Sequence, residues 1–408
     1  MKFTKKMTST NVIFAILGCT SLATTAGTIT EWNVDNIITT STLDADGNGF
    51  SYIYDKNVPG GDVTGATTNG YVKFTPNDST SPGIKVDNDT VPIGEVDNCI
   101  IAAGASTCNG DFQSHKRFKL DRTGLDPIDL VFDVNDDLPV NNDGVYKVFQ
   151  KYGNNSGTAL DSFTIEFGFG IGDDFSSSIT DDEFGFYDFG SQPDNNQFST
   201  SFSSGLFGTA DKHHPLDGYF SNENAGFNLI FGEDILKSDD LFGDYEDIFG
   251  NWISYDMAPD GYFYDHDGDP NTESLLMAHF YNGTWIMNRK IVKDIDDIFV
   301  VESLAFGNNG VEYASVGEVE AALIAMNPSL DLCTVDPSVA CLAGTYSIED
   351  LAKFNVTYSI DQIGFNLQDA GEQFSLRITA AVPEPGSLAL FGLGLIGLFR
   401  MKRRVNQS

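Results

Sequence analysis

Residues 275–287 read Leu275-Leu-Met-Ala-His-Phe-Tyr-Asn-Gly-Thr-Trp-Ile-Met287. Asn282-Gly283 is the dipeptide that best tolerates the positive φ angles of a type I′ turn, and apolar and aromatic residues run away from it on both sides. The stretch therefore predicts a two-residue β-hairpin. Similar strand signals recur outward from it, at Ile128–Val134, Val145–Gln150, Phe163–Phe169, Phe227–Phe231 and Phe374–Thr379. Each alternates or runs apolar and is bounded by Gly, Asn or Asp, as strands between turns are. Helix signals are few. Ser315 and Glu318 form a capping box ahead of Val319–Met326, and Asn327-Pro328 stops it. A shorter helix is expected over Ser347–Lys353. The pattern predicts a mainly β fold, a large antiparallel β-sandwich or jelly roll with a small helical excursion near residues 315–354.

The chain opens with Lys2, Lys5 and Lys6, an apolar run, and then small residues up to Ala26. That is the anatomy of a secretory signal peptide over residues 1–26. Ile16-Leu17-Gly18-Cys19 offers a competing reading, a lipoprotein cleavage site with Cys19 acylated. The apolar region before Cys19 is near the roughly 7-residue minimum for such a segment.

Residues 27–382 hold 16 Lys and Arg against 58 Asp and Glu, a net charge of −42. Such a surface repels nucleic acid and anionic lipid and attracts divalent cations. It does not spell disorder, because 32 Phe and 15 Tyr in the chain provide apolar area to bury.

Four cysteines follow the signal segment, in two close pairs, Cys99/Cys108 and Cys333/Cys341. In an exported chain local disulfides are the plain reading, and CxxC zinc spacing is absent.

Two acidic loops are candidate calcium ligands. Asp44, Asp46, Asn48 and Asp55 fit the D-x-[DN]-x-[DN]-G loop with an acid at its twelfth position. Against it, Phe50–Tyr54 reads as strand, so a bare turn is the alternative. Asp265, Asp267 and Asp269 repeat the alternation, with Pro270 where the loop wants Gly. His213-His214 sits in a loop-like stretch, and adjacent side chains diverge on extended backbone, so a shared metal is not expected.

No G-x-S-x-G, H-E-x-x-H, P-loop or helix-opening G-x-G-x-x-G occurs. With 58 acids, chance carboxylate pairs are abundant, so no pair is singled out for glycoside hydrolysis. The expectation is a non-enzymatic protein.

At the other end stand Val382-Pro383-Glu384-Pro385, the apolar segment Leu388–Phe399, and Arg400, Lys402, Arg403 and Arg404. These three parts in this order resemble the PEP-CTERM sorting signal of exopolysaccharide-producing bacteria, here spanning residues 382–408. The resemblance implies export through the Sec machinery and processing by an exosortase, a membrane-embedded cysteine transpeptidase. The two prolines keep the segment before the helix extended and accessible, and the basic residues favour retention on the cytoplasmic side. Twelve apolar residues span about 18 Å against a ~30 Å hydrocarbon core, so the transmembrane sorting helix is a weak, transient anchor.

Gly27–Asn36, Gly83–Val86, Phe112–Lys119, Pro127–Asp133 and Phe163–Gly172 also resemble the choice-of-anchor F family of bacterial surface proteins, which share an ectodomain and vary in their anchors. That resemblance implies residues 27–381 as a β-rich ectodomain and carries no catalytic residues. The sequence thus points to an exported cell-surface or matrix protein. The alternative is a carbohydrate-binding module for exopolysaccharide, dependent on calcium. Trp252, Tyr262 and Tyr264 would suit sugar stacking if exposed, although such aromatics are more often core.

Overall fold

The computed structural model describes residues 28–383 apart from 46, 76–81, 89–97, 106, 110–115, 136–143, 178–184, 188–200, 203–205, 207–226, 233–234, 240–250, 266–273, 297–298, 305–310, 327–330, 333–340 and 362–372. The expected signal segment and the apolar segment 388–399 lie outside the described residues, as does the His213-His214 pair.

In chain order the strands of the first half are β1 (Thr28–Trp32), β2 (Ile37–Thr39), β3 (Gly49–Tyr54), β4 (Thr68–Phe74), β5 (Ile84–Asn88), β6 (Asn98–Ala102), β7 (Phe118–Arg122), β8 (Ile128–Asn135), β9 (Val145–Asn154), β10 (Ser162–Phe169), β11 (Ser176–Ser177), β12 (Gly185–Tyr187) and β13 (Ser201–Phe202). The second half contributes β14 (Asn228–Phe231), β15 (Ile235–Asp239), β16 (Asp260–Asp265), β17 (Leu275–Tyr281), β18 (Thr284–Met287), β19 (Arg289–Lys293), β20 (Phe299–Ser303), β21 (Glu312–Tyr313), β22 (Asp331–Leu332), β23 (Cys341–Ser347), β24 (Lys353–Asp361) and β25 (Gln373–Ala381). The helix α1 spans Val316–Met326.

One sheet runs β1-β8-β25-β10-β15-β14, with β11 on β10. A second runs β12-β24-β9-β7-β4-β3-β2, with β13 on β24 and the β5–β6 pair joined to β9. A third runs β21-β18-β17-β16-β23-β22, and β19 pairs with β20. Pairing among the described strands is antiparallel except for β6–β9, β7–β9 and β22–β23.

The first two sheets share an aromatic core. Phe163 of β10 stacks on Phe354 of β24 at 5.3 Å, and Phe167 of β10 stacks on Phe186 of β12 at 4.4 Å. Trp252 closes one end, 4.5 Å from Phe354 and 4.8 Å from Tyr152, and donates its indole N–H to the Ala352 carbonyl at 2.7 Å. The rings supply both the apolar area that drives burial and edge-to-face contacts.

The period-two alternation of strands gives the second sheet two distinct faces. Ser51, Val72, Leu120, Tyr152 and Phe354 pair across β3, β4, β7, β9 and β24, and all five are fully buried. Shifted by one residue, the facing-out row is Phe50, Lys73, Lys119, Lys151 and Asn355.

The hairpin at residues 275–287 forms as the sequence predicts: β17 and β18 flank Asn282 at φ 50° and Gly283 at φ 85°. Ser315 caps the helix as expected, while Glu318 reaches back to the residue before the cap. Glu318 N–H donates to Ser315 Oγ at 3.4 Å and Ala314 N–H to Glu318 Oε2 at 2.8 Å, while Val319 and Leu323 turn into a second apolar cluster with Met277 and Trp285.

The stretch 315–354 is not a helical excursion as a whole. α1 and a 3-10 turn at Glu349–Ala352 bracket β23, which pairs with β16 and continues the third sheet. The backbone groups along that edge of β16 need partners, and Cys341–Ser347 provides them without any apolar alternation in its sequence. Among the described residues no helix is long and apolar enough to cross a membrane.

Candidate functional site

The C-terminal segment leaves the fold from a central strand. β25 lies between β8 and β10, with Gln373–Ile378 paired to β8 and Ser375–Ala381 paired to β10. Its end is pinned: Asp161 N–H donates to the Ala381 carbonyl at 2.8 Å, and the buried guanidinium of Arg122 donates to the Ile378 carbonyl at 2.8 Å. Arg122 also donates to Tyr152 Oη at 2.8 Å and to the carbonyls of Gly124 and Asp126, so its charge is met by four oxygens. Val382 is then exposed, so the chain reaches solvent where the Pro-Glu-Pro begins. Pro383 is the last described residue, and Glu384, Pro385, Arg400, Lys402, Arg403 and Arg404 lie outside the described residues.

Neighbouring contacts lock this sheet. Arg377 of β25 pairs with Asp129 of β8 through two 2.7 Å bonds, donates to the Gly172 carbonyl at 2.6 Å, and stacks 3.8 Å from the Phe175 ring. Gly172 sits at φ 55°, where an added Cβ would fall 2.0 Å from the Asp55 carbonyl oxygen, so only glycine permits that approach.

Asp44 and Asp55 do not come together as ends of a twelve-position calcium loop. Asp44 Oδ1 accepts the Asn48 backbone N–H at 2.7 Å and its carboxylate also accepts Asn48 Nδ2, making a closed turn with Gly47 at φ 80°. Asp55 lies beyond the six residues of β3, about 20 Å of extended chain away, and accepts the Thr67 N–H at 2.9 Å and the Thr67 hydroxyl. The acid spacing reflects a turn followed by a strand. Asp265 ends β16 opposite Cys341, while Asp46, Asp267 and Asp269 lie outside the described residues.

Cys99 and Cys108 form a disulfide, with Cα atoms 5.7 Å apart. Cys341 opens β23, and Cys333 lies outside the described residues. The aromatics weighed for sugar stacking are core: Trp252, Tyr262 and Tyr264 are all buried, the last two against the third sheet's apolar cluster.

A cleft of ≈ 490 Å³ opens beside β1 and β5, lined by Trp32, Asn33, Asp35, Ile84, Lys85 and Asp133 among others. Its polar groups engage one another. Asp133 accepts Asn33 Nδ2 at 3.0 Å and Gln373 Nε2 at 2.7 Å, and Lys85 pairs with Asp87 at 3.2 Å.

Among the described residues, partly exposed rings and lysines gather on the outward face of the second sheet, and the sequence reading missed this cluster. Phe50, Tyr52 and Tyr71 form a partly exposed ring cluster, with Phe50 edge-on to Tyr71 at 5.2 Å and Tyr52 edge-on to Tyr71 at 5.7 Å. Tyr71 Oη accepts Asn155 Nδ2 at 2.8 Å, and burial, reinforced by Asp121, raises its pKa. Next to the rings stand Lys73, Lys119 and Lys151, directly opposite one another on β4, β7 and β9.

At the margin Lys353 Nζ pairs with Glu349 at 2.8 Å and Lys151 with Asp350 at 3.4 Å. Burial alone would lower the Lys353 pKa, but Asp121 and Glu349 outweigh it and raise it. Gly153 allows this packing: a Cβ there would meet Asp121 Oδ1 at 1.8 Å.

Lys119 has its pKa lowered by partial desolvation and by the ammonium groups of Lys151, Lys353 and Lys73. The residue is exposed, so its like-charged neighbours are the cause to weigh. The one trace of this face in the sequence is alternation, as in Tyr71-Val-Lys73 and Lys151-Tyr-Gly153, in a body with 16 basic residues.

A β-rich body that releases a Pro-Glu-Pro, an apolar stretch and a basic cluster from the end of a central strand has the layout of an exported protein sorted through its C-terminus. Residues 381–404 match the PEP-CTERM protein-sorting motif, beginning at the last residue of β25. The motif implies export, membrane anchoring before processing, and recognition by an exosortase-type sorting enzyme. No curated protein and no solved structure matches the chain.

Proposed function

We propose that this is a non-enzymatic exported protein whose ectodomain, residues 27–381, is delivered to the cell surface or extracellular matrix through its C-terminal signal. The PEP-CTERM motif carries the reading. The apolar segment 388–399 serves as a temporary anchor, and an exosortase-type enzyme cuts near the exposed Pro-Glu-Pro. Because β25 is hydrogen-bonded on both edges, cleavage beyond Val382 leaves the sheet intact. The same setting is in keeping with the resemblance of the segments Gly27–Asn36, Gly83–Val86, Phe112–Lys119, Pro127–Asp133 and Phe163–Gly172 to choice-of-anchor F ectodomains, and with an acidic surface that resists nucleic acid and anionic lipid.

The test is mass spectrometry of the mature protein from its native host. The expected C-terminus lies between Val382 and Leu388; an intact Ser408 in the surface-bound or secreted pool would overturn the reading. Calcium-dependent carbohydrate binding through the Asp44 and Asp265 loops has weaker support, since Asp44 and Asp55 stand at opposite ends of β3 and Trp252, Tyr262 and Tyr264 are buried.

A further inference from the structure

We propose that the open outward face of the second sheet, formed by Phe50, Tyr52, Tyr71, Lys73, Lys119 and Lys151, binds a linear anionic polysaccharide bearing uronate carboxylates. The proposal deepens the surface-protein reading and takes its biological setting from it.

Charge is the first argument. Residues 27–382 carry −42, yet three lysines are placed on adjacent strands at directly opposed positions, about 4.8 Å apart from strand to strand. Like charges directly opposite one another in a sheet are unfavourable. Lys73 and Lys119 have no ion-pair partner within 4.0 Å among the described residues, and Lys151 has only the 3.4 Å contact to Asp350. Glu349 at the margin offsets part of this repulsion, acting on Lys73 and Lys119 from beyond ion-pair distance, and an anion lying across the row offsets the rest. The row runs across three neighbouring strands, so the matching anion is extended and repeats its charge.

The rings make the second argument. Phe50, Tyr52 and Tyr71 present partly exposed aromatic surface, and Tyr71 is held by Asn155. Aromatic faces carry negative quadrupole charge and accept the C–H faces of sugar rings, while the tyrosine hydroxyl offers hydrogen bonds at the rim. Rings beside ammonium groups therefore match a polymer with apolar ring faces and carboxylate edges. The −42 body repels any polyanion at long range, so the local lysine row has to supply the attraction and a low charge density favours the ligand; a folded second copy would add another −42 body. Nucleic acid, with a charge every ~1.7 Å of duplex, meets the same repulsion more strongly.

Isothermal titration of the purified full-length chain at low salt tests the proposal, with polygalacturonate, neutral dextran and single-stranded DNA as probes. Polygalacturonate binds, dextran and DNA do not, and added salt weakens the binding. Lys73→Gln/Lys119→Gln weakens it at least about tenfold, Lys73→Arg/Lys119→Arg retains it, and Tyr52→Ala weakens it. Lys290→Gln, at an exposed ion pair with Glu302 outside this sheet, leaves it unchanged. Absence of polygalacturonate binding, equal binding of dextran or DNA, or binding indifferent to Lys73→Gln/Lys119→Gln would each overturn the proposal. Its failure is separable from failure of the sorting reading, because titration is blind to whether the C-terminus is processed in the host.

Discussion

Lys147 and Lys151 stand on the same side of β9, four residues apart, and live in different worlds. Lys147 is only 4% exposed, while the Lys151 side chain keeps 21% of its surface in solvent. Over the Lys147 end lies the connection between β6 and β7, whose Cys108 is bonded to Cys99, and the two sulfurs pack with Ile101 and Phe149. Lys147 sits 5.2 Å and Lys116 5.9 Å from the centre of the Phe149 ring, and Lys116 Nζ donates to the Cys108 carbonyl at 2.6 Å. Among the described residues nothing comparable covers Lys119 or Lys73 at the other end. One sheet face is thus divided into a closed half, where lysines are built into the structure, and an open half, where they confront solvent. The strand does not decide between structure and binding; the cover does.

The largest way to break this comparison is to release the cover. Cys99→Ala/Cys108→Ala removes a local cross-link and should lower the unfolding free energy by about 2–3 kcal/mol. Urea denaturation checks it, with reductant bringing the native protein down to the variant's midpoint. An unchanged midpoint would mean that packing around Phe149 holds the closed half without the disulfide.

The parts of this arrangement differ in how far the sequence reveals them. The Asn282-Gly283 turn, the Ser315 cap and the Cys99/Cys108 pairing rest on residues close together in the chain, and each forms. Strand positions are likewise local: Val145–Gln150 is expected and β9 runs on to Asn154, because Lys151–Gly153 find partners on both β7 and β24 and Asn154 finds one on β7. Those partners are invisible to periodicity. β24 follows β9 by some two hundred residues, and only their joint burial fixes the register that opposes Phe354 to Tyr152. The lysine row depends on two such registers at once, β4 on β7 and β7 on β9, so no local pattern announces it. The Asp44–Asp55 spacing misleads for the opposite reason. A linear motif assumes a loop that curls, whereas Gly49–Tyr54 is extended as β3.

A middle-sized effect separates the two halves by pH. Burial, with help from Lys116 and Arg117, pushes the Lys147 ammonium down to about 8, from an ordinary value of 10.5. The unfolded chain holds that proton more tightly than the folded one, so below pH 8 the folded state bears the full cost of the charge. As pH rises from about 8 to about 10.5 the cost fades, and this site's contribution to stability improves. Lys147→Met removes the group. Its urea midpoint should exceed that of the native protein at pH 7, and the gap should close by pH 10.5. A gap that is constant with pH would show that Lys147 acts through packing on Phe149 alone.

The smallest expected effect lies in the open half. If the lysines there are retained for a ligand, replacing them should leave folding alone: Lys73→Gln/Lys119→Gln should change the unfolding free energy by no more than ~0.5 kcal/mol, with any change toward stability as opposed like charges are removed. Thermal melting without any polysaccharide measures this. A loss above about 1 kcal/mol would place Lys73 and Lys119 with Lys147 as structural groups and would erase the distinction between the halves. Stability unchanged, with polygalacturonate binding lost, would show that the same row of the sheet carries a binding surface at its uncovered end and a sealed, cross-linked support four residues away.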